Sequence, residues 1–288
     1  MIAQSVHPHA ALDPAVIRRL AERVSKGALT LPVLPEAASK VVQLCNDPTT
    51  DLRELAAVVA RDPAMVGNLM RLANSTLYGL GSQLVSLDQV LARLGVVKVR
   101  EMALVISCQG EVFKVPGHEK LVKQQFRHCL AAALFAQEIA RGRRWNVEEA
   151  FLCGLLHDMA RPVLLQEIIA DSAACNVPFN LAAADGVISS LHARVGGDMI
   201  KHWKLPVRLA EVVQFHHDPL KSPTARNQSM MTALADDLAH CLMGGPKTIT
   251  VGQFNEHPLL GELNIYPDEM DALIAFGPKA KLSVEMMG

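Results

Sequence analysis

Residues 151–161 read FLCGLLHDMAR, an apolar run that ends abruptly in an adjacent imidazole and carboxylate, His157 and Asp158. A buried helix ordinarily continues with further aliphatic side chains at this point. An isolated His-Asp pair is most often a hydrogen-bonded core pair or an exposed polar turn, because short motifs occur frequently by chance. Further histidines and an aspartate in apolar surroundings favour a functional interpretation of the pair. They are His128, His192, His216, His217 and Asp236.

The composition predicts an all-α fold. Half of the 288 residues are hydrophobic, but only 4% are aromatic. Alanine, leucine, valine and methionine must therefore fill the core, which suits closely packed helices better than a sheet. The length is sufficient for one large domain or about two smaller ones.

Charge and hydropathy narrow the range of partners. A formal net charge of −1, without a long basic run, gives no basis for a nucleic-acid partner. No apolar stretch approaches the length of a membrane span, and the first residues lack a secretory leader pattern. None of the six cysteines forms a C-x-x-C pair, so reduced thiols are expected. The sequence therefore predicts a soluble cytoplasmic protein that is not membrane-bound.

Helix-start signals divide the first half into short helices. Asp13-Pro14 and Asp62-Pro63 each combine an N-cap residue with proline at the first helical position. Ser86 with Gln89, and Asn146 with Glu149, are capping patterns. Longer helices are predicted in the second half, at about 119–141, 147–169, 187–203, 207–217 and 226–243, with a short one at 268–276.

Two positions should interrupt this pattern. Pro116-Gly117 marks the break between halves, near residues 114–118. Pro162 cannot donate to the carbonyl of Asp158, so the helix predicted from 147 should bend or end there. The predicted organisation is an N-terminal helical lobe, a second lobe with a metal pocket, and a C-terminal extension that packs on the domain. These span residues 12–115, 116–245 and 246–288.

An ordered set of short motifs resembles the signature of the HDOD family. These proteins are bacterial signal-transduction modules in which a helical N-terminal half precedes a half like that of the HD phosphohydrolases. The resemblance covers about residues 25 to 245. The motifs are Leu31-Pro32-Val33-Leu34-Pro35, Asp62-Pro63-Ala64, Arg71-Leu72-Ala73-Asn74-Ser75, Tyr78-Gly79, the stretch from Ser86 to Gly95, and Leu205-Pro206 before His216-His217.

The resemblance implies a metal site built from nitrogen and oxygen donors. One ion would be held by His128, His157, Asp158 and Asp236, and a second by His192, His216 and His217. Asp158 would bridge the two ions, and Arg161 would contact a phosphate. Such donors point to iron, manganese, nickel or zinc. Four further histidines, at 118, 202, 240 and 257, match nothing in the pattern and are interpreted as ordinary surface residues.

Three departures separate the chain from the related HD-GYP phosphodiesterases. Gln124 stands where those enzymes have a glutamate, and Ala160-Arg161 stands where they have Gly-Lys. Asp218-Pro219 follows the double histidine in place of a Gly-Tyr-Pro segment.

Two functions remain open. The favoured one is a non-catalytic regulatory module with a retained metal pocket, whose partners are a kinase, a response regulator or a nucleotide ligand. The other is a metal-dependent phosphodiesterase acting on a nucleotide such as cyclic diguanylate.

Overall fold

The computed structural model describes residues 11–46, 51–75, 84–109, 114–243 and 249–287, and throughout these ranges the protein is all-α, as predicted. The Tyr78-Gly79 motif lies outside these ranges. The helices are α1 (Pro14–Ser25), α2 (Glu36–Asn46), α3 (Leu52–Val59), α4 (Pro63–Ala73), α5 (Leu87–Gln109), α6 (Glu119–Arg143), α7 (Val147–Leu156), α8 (Ala160–Ala174), α9 (Leu181–His202), α10 (Val207–Phe215), α11 (Arg226–Met243), α12 (Leu259–Leu263) and α13 (Pro267–Met287).

The predicted caps are present. The Asp13 carboxylate accepts a hydrogen bond from the Ala15 amide at 2.7 Å, and Asp62 accepts one from the Met65 amide at 3.0 Å. The side chain of Asn146 accepts from the amides of residues 148 and 149 at the start of α7. At the other end of α4, the Asn74 amide group donates to the Met70 carbonyl at 3.0 Å. These contacts satisfy backbone groups that helix ends leave without intrahelical partners.

The helix predicted over 147–169 is interrupted, as expected, but the break lies before Pro162 and not at it. α7 ends at Leu156, and α8 begins at Ala160, so His157, Asp158 and Met159 form a turn between two helices. Pro162 lies in the first turn of α8, where a missing amide proton costs no intrahelical hydrogen bond. The interruption therefore falls on the His-Asp pair itself and not at the proline.

Helix α6 is the centre of the second half and packs on α7, α11 and α13. Gly154 allows α7 to approach α6 closely, because a Cβ atom at this position would lie 2.6 Å from the Cα atom of Ala133. The same hydrophobic core continues into the first half through buried side chains of α2 to α5. The close contact of α6 and α7 brings His128 near His157.

Helix α1 packs on α8, which in turn packs on α9, and buried side chains of these three helices belong to a second apolar cluster. Two arginines of α1 reach buried carboxylates of α8. Arg19 and Arg23 contact Asp171 at 2.6 and 3.1 Å, and Arg23 also pairs with Glu167. These ion pairs compensate the negative charges of Asp171 and Glu167, which are almost fully buried.

Two other helices are longer than predicted. α9 begins at Leu181 and not near 187, because the Asn180 side chain caps it by accepting from the Ala183 amide at 3.0 Å. α13 extends beyond the predicted 268–276 and includes Pro278, since buried residues on both sides of the proline pack on the core. Within the described ranges, no helix is both long and apolar enough to cross a lipid bilayer.

Candidate metal centre

The candidate ligands come from different helices of the second half. His128 lies in α6, His192 in α9 and Asp236 in α11. The His157-Asp158 pair forms the α7–α8 turn, and the double histidine directly follows α10. The structure brings all seven together in two groups that could hold a metal ion, each with ligand atoms within 4.8 Å of one another. The first group is His128, His157 and Asp236; the second is Asp158, His192, His216 and His217.

Asp158 lies between the two groups. Its Oδ1 atom is 3.0 Å from Nε2 of His192 and 3.7 Å from Nε2 of His216. Its Oδ2 atom is 3.9 Å from Nε2 of His157, in the first group, and accepts a hydrogen bond from Gln125 at 3.0 Å. One carboxylate thus presents a separate oxygen to each group, which is the arrangement expected of a bridging ligand.

Three of the histidines have a tautomer fixed by the backbone. Their Nδ1 atoms lie 2.7 to 3.0 Å from the carbonyl oxygens of Gly154, Ile188 and Val213; the histidines are His157, His192 and His216 respectively. A carbonyl oxygen only accepts hydrogen bonds, so Nδ1 must carry the proton. In the neutral ring the lone pair then lies on Nε2, which faces the interior of the site. Hydrogen bonds of this kind orient histidines that ligate metals.

The Nε2 atoms face other electron-rich atoms at short distances. Nε2 of His192 is 3.3 Å from Nε2 of His216 and 3.0 Å from the Asp158 carboxylate. Nε2 of His157 and Oδ1 of Asp158 are both buried without a hydrogen bond. Buried polar atoms are rarely left unsatisfied, and lone pairs that face each other repel unless a proton or cation lies between them. The donor set therefore fits a divalent cation.

The ionisation states also suit metal binding. Burial alone would raise the pKa values of the Asp158 and Asp236 carboxyls, but the facing imidazoles outweigh burial and hold both well below the usual range. Burial and neighbouring imidazoles lower the pKa of His216 well below its usual value. Burial would also lower the pKa of His157, but Asp158 and Asp236 outweigh it and raise this pKa to about 9. A metal ion would displace the proton of His157.

An open cavity of about 540 Å³ leads to the centre. Residues of both ligand groups line it, together with Gln124, Gln125 and Arg161. The guanidinium of Arg161 donates to the Asp185 carboxylate at 2.8 Å and lies 3.8 Å from Asp158. A divalent metal in such a site would act as a Lewis acid and could orient a phosphate group. A small polar molecule could reach the candidate metal-binding residues through this cavity.

The prediction that His240 and His257 are ordinary surface residues is wrong. Nε2 of His240 is 3.3 Å from the Asp236 carboxylate, and its ring lies 4.2 Å from that of His128. His240 stands four residues after Asp236 on α11, a spacing that places both on one helix face and could have indicated this contact. His257 is buried, accepts from the Leu259 amide and bonds to the Asp237 carboxylate at 3.0 Å. It therefore fixes the segment before α12 to α11.

The fold and the site together define an all-α protein with a His/Asp pocket that could hold a divalent metal. Residues 31–219, about two thirds of the chain, match the HDOD domain family. The chain belongs to the HDOD family.

Solved structures with a similar fold include an HDOD domain protein with unknown function from Geobacter sulfurreducens. It is 21% identical, with a TM-score of 0.70, and the match covers 96% of this chain and 99% of that one. A candidate metal-dependent phosphohydrolase from Shewanella amazonensis is 18% identical, with a TM-score of 0.72, over 93% of this chain and 98% of that one. Likeness at these identities supports the fold alone.

One curated relative is an uncharacterised protein of Treponema pallidum (strain Nichols). It is 23% identical over 215 residues, which is 71% of this chain and 41% of that protein. The chain thus spans about two fifths of the length of this relative.

Proposed function

We propose that this chain is a signal-transduction module that acts through protein contacts and holds a divalent metal centre in its second half. The observation that carries the metal centre is the fixed tautomer of His157, His192 and His216, whose Nε2 atoms face two ionised carboxylates. Because the donors are nitrogen and oxygen, the ion is iron, manganese, nickel or zinc. The proposed ligands are His128, His157, Asp158 and Asp236 for one ion, and His192, His216 and His217, with Asp158 bridging, for the second.

The non-catalytic part of the proposal rests on what surrounds these ligands. Hydrolysis of a phosphodiester needs a group that protonates the leaving oxygen. Arg161 occupies the place of the lysine in active relatives, and arginine does not give up its proton at neutral pH. After His217 the chain turns into a short 3-10 helix, Pro219–Lys221, in place of the Gly-Tyr-Pro segment. The proposed partners are signalling proteins such as a kinase or a response regulator.

The open cavity favours a second candidate function, a metal-dependent phosphodiesterase. Its volume of about 540 Å³ is sufficient for a molecule the size of a nucleotide beside the two groups of metal-binding residues. Cyclic diguanylate is the first substrate to test.

Turnover assays separate the two functions. Purified protein is loaded with manganese or iron and incubated with cyclic diguanylate and a panel of nucleotide esters, in parallel with Asp158→Ala. We expect no efficient hydrolysis by either protein. Robust hydrolysis by the wild type that disappears in Asp158→Ala would contradict the non-catalytic proposal and establish the enzyme.

A further inference from the structure

We infer that Asp185 is a specificity-determining residue of the cavity, because it pairs with Arg161 and so makes any anionic ligand compete for that guanidinium. The inference deepens the proposed function and rests on it, since the anion would enter beside the metal centre. Its ligand class is a small oxyanion, such as a phosphate group, with enough charge to displace a carboxylate.

Arg161 connects the candidate metal ligands with α9. Its Nη2 atom donates to Oδ1 of Asp185 at 2.8 Å, and both Nη atoms lie 3.5 Å from the Ser189 hydroxyl. Its Nε atom is 3.8 Å from Oδ2 of Asp158, the carboxylate between the two ligand groups. The end of the guanidinium that a phosphate would use is therefore already engaged by α9.

The two acids around Arg161 differ in exposure. The side chain of Asp185 is 64% exposed, whereas that of Asp158 is 8% exposed. An ion pair with a solvent-exposed partner contributes little, because water and salt screen it. Asp185 can therefore release Arg161 to a stronger competitor, while Asp158 stays in place beside the metal centre.

The charges that line the cavity make anion binding depend on metal. Asp158, Asp185 and Asp236 all border the cavity, and Arg161 is the arginine among its described lining residues. Three carboxylates repel an anion, but bound divalent ions would reverse this balance. A phosphate could then use two oxygens to pair with the guanidinium fork, which a single Asp185 oxygen does not match. Weakly charged ligands would not displace Asp185, and this is the basis of the specificity.

A titration with inorganic phosphate tests the inference. Manganese-loaded protein is titrated by calorimetry, and the relaxation of the phosphate ³¹P signal reports whether the anion lies near the bound ion. The variants are Asp185→Asn, Arg161→Gln and the double variant. Asp198→Asn is the matched control, since it removes an exposed charge from the same helix at a residue paired with Lys201. Metal content is measured for every variant.

We expect Asp185→Asn to tighten phosphate binding about two- to fivefold at unchanged metal content, the range that an exposed ion pair allows. Arg161→Gln should weaken binding by about tenfold or more, because it removes a charge-assisted pair. In the Arg161→Gln background, Asp185→Asn should have no comparable effect, and Asp198→Asn should have none in the wild type.

Four results would overturn the inference. Asp185→Asn could tighten phosphate binding equally with and without Arg161, or Asp198→Asn could tighten it as much as Asp185→Asn does. Either result would mean that only the net charge of the protein matters. No gain from Asp185→Asn in metal-loaded protein would overturn this inference alone. Protein that takes up no metal would overturn the proposed metal centre and this inference with it.

Discussion

Substituting alanine for Gly154 should separate the helices that bring His128 and His157 together. The new Cβ atom would lie 2.6 Å from the Cα and N atoms of Ala133, and ordinary contact begins near 3.4 Å. Because the opposing atoms are backbone, α7 must retreat by about 0.8 Å. His157 directly follows α7 and must move with it.

The expected loss of stability is about 2 kcal/mol, the usual cost of overpacking a well-packed core. Metal affinity should fall by about tenfold, as it does when groups that orient ligands are disturbed. Urea unfolding and a metal titration measure the two effects. Gly67→Ala is the control, since this exposed glycine of α4 has no neighbouring atom within 4 Å of its added Cβ. The control should stabilise the protein by about 0.5–1 kcal/mol. Wild-type stability and metal affinity in Gly154→Ala would refute this account of how the site is positioned.

Three further predictions concern stability. Hydrogen bonds from the 222–225 segment outweigh partial burial and lower the pKa of Glu211 from 4.5 to about 2. Glu211→Gln should therefore cost about 1 kcal/mol at pH 7, and the difference from wild type should vanish as the pH falls from 4.5 towards 2, as measured by unfolding across pH. Arg23→Met should cost about 3 kcal/mol in urea unfolding, because it leaves two carboxylates of α8 poorly compensated, whereas the exposed Lys26→Met should cost less than about 0.5 kcal/mol. Manganese at a hundred times its dissociation constant should stabilise the folded protein by about 2.7 kcal/mol, and a chelator should reverse the shift in midpoint.

Local signals were sufficient to predict the all-α class and the starts of the helices at Pro14, Pro63 and Val147. A cap such as Asp13 or Asn146 bonds to amides no more than three residues away, so the neighbouring sequence is enough to predict it. The family resemblance indicated which histidines and aspartates belong together, and the structure brings these residues into two adjoining groups. Whether they bind metal stays a prediction.

Tertiary contacts account for what the sequence did not predict. The helix predicted from 147 breaks at the His-Asp pair and not at Pro162, and α13 continues through Pro278 because its flanks are buried. Gln124 and Gln125 both line the cavity, and Gln125 donates a hydrogen bond to the Asp158 carboxylate, a contact that the sequence did not indicate. These outcomes depend on which helices pack together, and the spacing of apolar residues within one segment does not indicate the helix on which that segment packs.

Metal analysis of the purified protein and of Asp158→Ala tests the central claim most directly. Both proteins are reconstituted without oxygen in turn with iron, manganese, nickel and zinc, freed of loose ions, and measured for metal per chain. We predict that the wild type retains at least one ion per chain and that Asp158→Ala loses most of it, since Asp158 faces both groups. A wild type that retains none of the four metals, or an Asp158→Ala variant that retains the full wild-type stoichiometry, would contradict the account.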